Sequence, residues 1–143
     1  MLFSASTPGA NLALSASPDR PLAALRIINR EHKTLYAFQL GPSWKSLSGF
    51  SSFESWYYPG YYLRHQDYRL KLHSPFLIKP GEQALFRWDA AFKQEAADPY
   101  GRSSVFRSAN YPDRFIRYEN SGAVVVNNPT PNSMSSVWWW RIT

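Results

Sequence analysis

The sequence predicts an all-β fold, and within that class a β-trefoil: three four-stranded repeats with pseudo-threefold symmetry, closed as a barrel with a hairpin cap. Three observations predict it. A segment of the chain recurs further along, short runs alternate between apolar and polar residues, and turn-forming residues separate these runs. Four short strands cannot bury their own apolar face, so three such units must share one core. A two-sheet sandwich is the alternative fold.

The repeat is clearest between residues 51–65 and 104–118, which align at a constant offset without a gap. Six residue types recur at that offset: Ser51/Ser104, Phe53/Phe106, Ser55/Ser108, Tyr58/Tyr111, Pro59/Pro112 and Arg64/Arg117. A second ladder, evenly spaced along the chain, joins Trp44, Phe92 and Trp140, each followed by a basic residue. In the first unit, residues 12–18 are taken to stand where 53–59 stand later. We therefore expect one domain over 1–143, with repeats at approximately 1–48, 49–101 and 102–143.

Strands are predicted wherever the sequence alternates with a period of two. Residues 69–72 and 85–88 place apolar and polar side chains on opposite faces, and residues 124–126 add β-branched bulk. Residues 73–83 contain two prolines and a glycine, so a surface loop is expected there. Helix should be minimal, and residues 21–31 are the hardest to assign.

Composition limits the class of protein. The chain has 143 residues, no cysteine, 44% hydrophobic and 17% aromatic residues. This is enough apolar material for a compact single domain without disulfides, and too much for a disordered chain. The longest apolar runs are too short to span a bilayer. The net charge is +6, but the basic residues are scattered, so we expect no nucleic-acid partner.

Catalytic and metal-binding motifs are not found in the sequence. The chain contains no G-x-S-x-G elbow, no H-E-x-x-H and no glycine-rich phosphate loop. Three widely spaced histidines without cysteine do not form a zinc site. We therefore expect no enzymatic activity, no cofactor and no metal.

One stretch of the sequence resembles a known family. Residues 58–65, Y-P-G-Y-Y-L-R-H, are preceded by S-F-E-S and followed by F-R-W-D-A-A-F at 86–92. These residues resemble the arabinose-binding domain of α-L-arabinofuranosidase B, carbohydrate-binding module family 42. The resemblance extends over essentially the whole chain and is strongest in the second and third units. It implies a β-trefoil that binds arabinofuranose side chains of hemicellulose, and an extracellular location, although no secretory signal is visible.

The resemblance also implies the site residues. The family's pockets are built around a histidine after the Y-P-G-x-Y-L-R stretch and an aspartate in a later D-A-T-F stretch; here these are His65 and Asp89. Tyr58 is the candidate for an aromatic wall. At the positions that the repeat and the ladder make equivalent, Tyr118 replaces the histidine, and Gly41 and Val137 replace the aspartate.

We therefore expect one sugar per chain, bound by a monomeric, non-catalytic module. Each candidate also has a structural interpretation, since Asp89 could be satisfied by turn amides and His65 could be an ordinary buried or solvated histidine. Arg64 and Arg117 recur, which indicates a shared structural role. The alternative function is a degenerate trefoil that serves as a protein-interaction module without sugar binding.

Aromatic residues are divided by whether they recur. Those at equivalent repeat positions are predicted to be core: Phe53, Phe86, Phe92, Phe106 and Trp140. Those that do not recur are free to be surface contacts: Trp56, Tyr57, Tyr61 and Trp88.

Overall fold

The computed structural model describes residues 2–4, 12–27, 31, 36–100, 103–119, 121, 123–128 and 138–140. These ranges contain twelve strands: β1 Leu2–Ser4, β2 Leu12–Ser17, β3 Arg20–Ile27, β4 Phe38–Pro42, β5 Ser51–Ser55, β6 Tyr62–Gln66, β7 Arg69–His73, β8 Phe92–Ala96, β9 Ser104–Ser108, β10 Phe115–Tyr118, β11 Val124–Asn127 and β12 Trp138–Trp140. A 3-10 turn at Pro80–Glu82 leads into the helix α1, Gln83–Asp89. The fold is all-β, as the sequence predicts.

The strands form a closed antiparallel barrel. Following the hydrogen-bonded neighbours from β5 gives the ring β5, β6, β7, β11, β10, β9 and β8, and β8 pairs with β5 again. β4 pairs with β5 outside this ring, while β3, β2, β1 and β12 link β7 to β9. Closure leaves the ring's own strands without an open edge, which satisfies their backbone groups.

The pairing pattern repeats every four strands. β5 pairs with β4 and β9 pairs with β8, so each of these strands pairs with the strand that precedes it in sequence. β1, the first strand, pairs in the same way with β12, the last. The three hairpins β2–β3, β6–β7 and β10–β11 also meet one another through β3–β7, β7–β11 and a bridge between Ala24 and Ala123. The sequence repeat aligns the ends of β5, Ser51 and Ser55, with Ser104 and Ser108, and these are the first and last residues of β9.

Buried aromatic rings fill the centre of the molecule. Phe53, Phe92 and Phe106 are fully buried, and the Phe53 and Phe106 rings meet edge to face with centroids 4.9 Å apart. Trp138 is also fully buried, and its indole N–H donates to the Ile116 carbonyl at 3.0 Å. Burying such large rings removes much apolar surface from water, which stabilises the fold.

The predicted division of the aromatic residues holds in most places. Phe53, Phe86, Phe92 and Phe106 are buried, whereas Trp56, Tyr57 and Trp88 are exposed. Tyr61, in contrast, packs partly buried against the core. The side chain of Trp140 and residue Val137 lie outside the described residues.

The prediction of a strand at 85–88 is wrong, because these residues belong to α1. So short a run does not distinguish alternation from a helical turn, and Gln83, Ala84, Leu85 and Arg87 are good helix formers. Phe86 and Asp89 are the buried residues of α1, and their spacing of three places them on one helical face. The expected loop at 73–83 is largely an exposed turn before α1, although its first residue, His73, ends β7.

The evenly spaced ladder of Trp44, Phe92 and Trp140 is also wrong in register. Phe38 pairs with the last residue of β5 as Phe92 pairs with the last residue of β9. Trp138 pairs with the first residue of β9 as Phe92 pairs with the first residue of β5. Phe38, Phe92 and Trp138 are therefore counterparts, and Trp44 lies beyond its strand. The spacings between counterparts differ because the connections between strands differ in length.

The first unit is shifted as well. Phe3 of β1 pairs with Ala13 of β2 as Glu54 of β5 pairs with Tyr62 of β6. Residues 12–17 therefore correspond to β6 and not to residues 53–59. No helix in the described part of the chain has the length and apolar character needed to cross a membrane.

Candidate functional site

His65 and Asp89, which are distant in sequence, lie together in the structure. His65 is on β6, and Asp89 is the last residue of α1. The His65 Nε2 and Asp89 Oδ1 atoms are 3.5 Å apart, and both side chains are less than one tenth exposed. α1 contacts β6 directly, so the helix that was not predicted is the element that delivers the carboxylate.

Asp89 is neutralised and held by its neighbours. Arg64 donates from one terminal nitrogen to Asp89 Oδ2 at 2.8 Å, and Asn110 donates from Nδ2 to Oδ1 at 2.9 Å. A buried carboxylate without such partners would be strongly unfavourable. The hydrogen-bond partners of Asp89 are thus the side chains of Arg64 and Asn110. The structural alternative given in the sequence analysis predicted backbone amides of a turn.

Asn110 fixes the protonation of His65. Because a carboxylate only accepts hydrogen bonds, the amide NH₂ of Asn110 must face Asp89 and its oxygen must face His65. The distance between Asn110 Oδ1 and His65 Nε2 is 2.7 Å, so His65 donates from Nε2. The neutral ring therefore carries its proton on Nε2, and Nδ1 is left as an acceptor. Ser108 supports this arrangement by donating to Asn110 Oδ1 at 3.0 Å.

The aromatic neighbour of His65 is Tyr111. Their ring centroids are 5.5 Å apart in an edge-to-face arrangement. Tyr58, the predicted wall, is the counterpart of Tyr111 one repeat earlier, and its backbone N–H donates to Ser55 as that of Tyr111 donates to Ser108. No ring contact between Tyr58 and His65 is present among the described residues.

Ser108, Asn110 and Tyr111 were missed in the sequence because they belong to the following unit. A signal for Asn110 exists, since the repeat aligns it with Tyr57 and it is a polar residue that does not recur. Such non-recurring polar residues inside a repeat are candidates for function.

Arg64 links the site to His73. Its second terminal nitrogen lies 3.3 Å from His73 Nδ1, which must accept because a guanidinium has no acceptor. The Arg64 guanidinium also lies over the Phe86 ring, with Cζ 5.2 Å from the centroid. Arg64 Nε is buried with no hydrogen-bond partner among the described residues. These contacts give Arg64 the structural role that its recurrence predicts.

Both histidines are kept neutral by their surroundings. Burial lowers the pKa of His65, against the opposing effects of the Asp89 charge and the Asn110 hydrogen bond. Burial also lowers the pKa of His73, and the nearby Arg64 and Lys71 charges lower it further. In the unfolded chain both rings titrate near the usual pKa of about 6.5.

We expect the free energy of unfolding to fall as the pH is lowered from about 7.5 to about 5.5. The pKa values of both histidines are lower in the folded protein than in the unfolded chain. Their contribution to the free energy of unfolding is therefore complete above the unfolded pKa, and it is lost as the pH falls through the folded-state pKa values. Urea denaturation at several pH values measures it. The variants His65→Gln and His73→Gln should each show a shallower dependence, and a slope unchanged in both would contradict the assignment.

A family model places this chain among known proteins. The model of the α-L-arabinofuranosidase B (ABFB) domain matches residues 29–139, which is most of the chain. The chain belongs to the ABFB domain family. The family resemblance stated from the sequence is thereby confirmed. No match is found among curated proteins.

Solved structures share the fold of this ABFB domain. An arabinofuranosidase complexed with arabinofuranosyl-α-1,2-xylobiose aligns with a TM-score of 0.74 at 22% identity, covering 96% of this chain and 29% of that one. A family 54 α-L-arabinofuranosidase soaked with a cyclic sulfate inhibitor gives 0.73 at 22% identity over the same shares. A GlcNAcα1-4Gal-releasing endo-β-galactosidase from Clostridium perfringens gives 0.71 at 13% identity, covering 96% of this chain and 30% of that one. The chain thus spans less than a third of each.

The described residues contain no group of three histidine, cysteine or acidic side chains arranged to hold a metal ion. The polar atoms of this ABFB domain's site are instead engaged in hydrogen bonds among Arg64, His65, Asp89 and Asn110. Whether His65, Asp89 and Tyr58 contact a sugar stays a prediction.

Proposed function

We propose that this ABFB domain is a non-catalytic carbohydrate-binding module that holds one arabinofuranose residue of a hemicellulose chain. The observation that carries the proposal is the meeting of His65 and Asp89 at 3.5 Å, in a domain whose family is named for an arabinofuranosidase. One structural relative is complexed with arabinofuranosyl-α-1,2-xylobiose, which belongs to the same class of sugar.

The chemistry of the site suits a furanose. Sugar hydroxyls both donate and accept, and an ionised carboxylate offers about four lone-pair positions, of which the bonds from Arg64 and Asn110 occupy two. His65 Nδ1 accepts a further hydroxyl proton. Tyr111, which lies against His65, supplies the ring that covers the apolar carbons in place of Tyr58.

We propose a single site per chain. The pairing register puts Ala16 at the position of His65 in the first unit, and Tyr118 takes that position in the third. Asp89 lies three residues before Phe92. The residues three before its counterparts, Phe38 and Trp138, are Leu35 and Ser135, which have no carboxylate and lie outside the described residues. These positions replace the Gly41 and Val137 inferred from the incorrect ladder, and they support the same conclusion.

The fold we propose for this function is a β-trefoil with repeats at approximately 1–48, 49–101 and 102–143. It is supported by pairings that recur every four strands and by three hairpins that meet one another. A non-catalytic role is supported by the partners of Asp89, which are a guanidinium, an imidazole and an amide. A glycosidase would place a second carboxyl group opposite the scissile bond.

Isothermal titration with an arabinofuranosyl xylo-oligosaccharide tests the proposal. We expect Asp89→Asn to weaken binding about tenfold or more, since it removes the charge from hydrogen bonds to the sugar. Asp67→Asn is the matched control, because that carboxylate is 86% exposed on the β6–β7 turn. Equal affinities for the two variants would contradict a role for Asp89, provided that both melt as folded proteins.

The protein-interaction alternative is favoured by one observation. Exposed apolar side chains cluster in sequence on and just before α1: Phe76, Leu77, Leu85 and Trp88. Exposed apolar residues grouped in this way are typical of interaction surfaces. A folded wild-type domain that gives no heat with any pentose oligosaccharide would favour this alternative over sugar binding.

A further inference from the structure

Arg114 is held between two tyrosine rings beside the candidate site. Its Cζ atom lies 4.2 Å from the centroid of Tyr111 and 4.6 Å from that of Tyr68. One terminal nitrogen also donates to the Tyr68 hydroxyl at 3.4 Å. Stacking on aromatic faces orients a guanidinium while leaving N–H groups at its edge available.

The positive charge of Arg114 has no acidic partner among the described residues. No carboxylate in the described part of the chain forms an ion pair with it, whereas Arg64 and Arg107 are each paired with an acidic residue. The carboxylate of Asp67, the residue before Tyr68, lies instead 3.7 Å from Lys71 Nζ. Arg114 is half-buried, so an oriented and unpaired guanidinium remains in contact with solvent.

The backbone of Arg114 is fixed. Its N–H donates to the Tyr111 carbonyl at 2.8 Å, and its own carbonyl accepts from Ser108 at 2.9 Å. The equivalent turn of the middle unit has the same two bonds, with Tyr61 in the position of Arg114. Tyr61 packs against the core, so an arginine at this position is not required by the fold.

Arg114 is also linked to His65 through Tyr111. Tyr111 contacts both His65 and Arg114. Burial is the main cause of the lowered pKa of His65, and the Arg64 and Arg114 charges lower it further. A group next to a sugar held by His65 and Asp89 would therefore meet the guanidinium edge.

We propose that Arg114 recognises a carboxylate on a sugar neighbouring the bound arabinofuranose, so that the domain prefers polysaccharides carrying both arabinofuranose and uronic acid. This inference rests on the proposed function. Guanidinium and carboxylate match in charge and in planar geometry, which neutral hydroxyls do not. Because the contact is solvent-exposed, the preference is modest and weakens with salt.

Titration with three polymers tests the preference: neutral arabinoxylan, glucuronoarabinoxylan, and the same glucuronoarabinoxylan with its carboxylates chemically reduced to alcohols. We expect the wild type to bind the acidic polymer about two- to fivefold more tightly than its reduced form. Arg114→Gln should bring this ratio to about one, and the ratio between the acidic polymer and its reduced form is the readout because any effect on neutral binding cancels in it. Arg114→Tyr places at this turn the residue type of its counterpart, Tyr61. It should remove the preference for the acidic polymer in the same way and keep the backbone hydrogen bonds of the turn.

Arg26→Gln is the matched control. It lowers the net charge by one, as Arg114→Gln does, but it removes an exposed guanidinium at a different place. An equal loss of preference in Arg26→Gln would overturn the inference in favour of general charge attraction. Binding of neutral and acidic polymers with equal affinity would overturn it while leaving the proposed function standing. Binding of none of the three polymers by the wild type would overturn both.

Discussion

Asp89→Ala is expected to lower the free energy of unfolding by about 3–5 kcal/mol. The substitution leaves the buried Arg64 guanidinium without its carboxylate partner at 2.8 Å, and it also removes the acceptor of Asn110. An uncompensated charge at a side chain that is 4% exposed is the main cost. Urea denaturation near pH 7 measures the loss.

Two further variants separate charge from packing. Asp89→Asn keeps an acceptor for Arg64 and should lose less than Asp89→Ala. The double variant Arg64→Met with Asp89→Leu removes both charges, and it should recover much of the stability because a well-packed apolar pair avoids desolvation. A double variant less stable than Asp89→Ala alone would show that the ion pair itself contributes more than its burial costs.

Phe53→Ala is expected to cost about 3–5 kcal/mol, through lost burial and the cavity that remains. Phe53 is fully buried, and its ring contacts Phe92 and Phe106 with centroid distances of 6.1 and 4.9 Å. Strands from different units meet at this cluster, so neighbouring side chains have little freedom to fill the space. Chemical denaturation gives the value directly.

Phe76→Ala is the matched control for this core substitution. It removes the same atoms from a ring that is 70% exposed, so we expect a change within about 0.5 kcal/mol. If the two alanine variants lost equal stability, the centre of the molecule would not be the dominant source of its apolar stabilisation.

The parts of the fold that sequence reasoning reached are those with local, repeated patterns. The repeat that aligns Phe53 with Phe106 reproduces the bounds of β5 and β9, because both rings must fill the same core position. The pairing of His65 with Asp89 was anticipated only through family resemblance. No local pattern links an imidazole on a strand to a carboxylate at the end of a later helix.

What was missed depends on tertiary contacts. α1 has only seven residues, which is too short a run for a helical period to stand out in the sequence, although the spacing of three between its buried Phe86 and Asp89 is helical. The roles of Asn110 and Tyr111 come from packing between segments far apart along the chain, which periodicity does not encode. Trp44 resembled a core counterpart because aromatic–basic pairs are common in this sequence, but strand register, set by hydrogen bonding, assigns that position to a residue at the start of β4.

The Asn110 and Tyr111 contacts to His65 cross from one unit to the next. A single unit cut from the chain would carry an imidazole and a carboxylate but would lack the amide and the ring that orient them. The proposed sugar site therefore needs residues from both segments, 49–101 and 102–143. Exchanging either segment alone would therefore remove the Asn110 and Tyr111 contacts to His65.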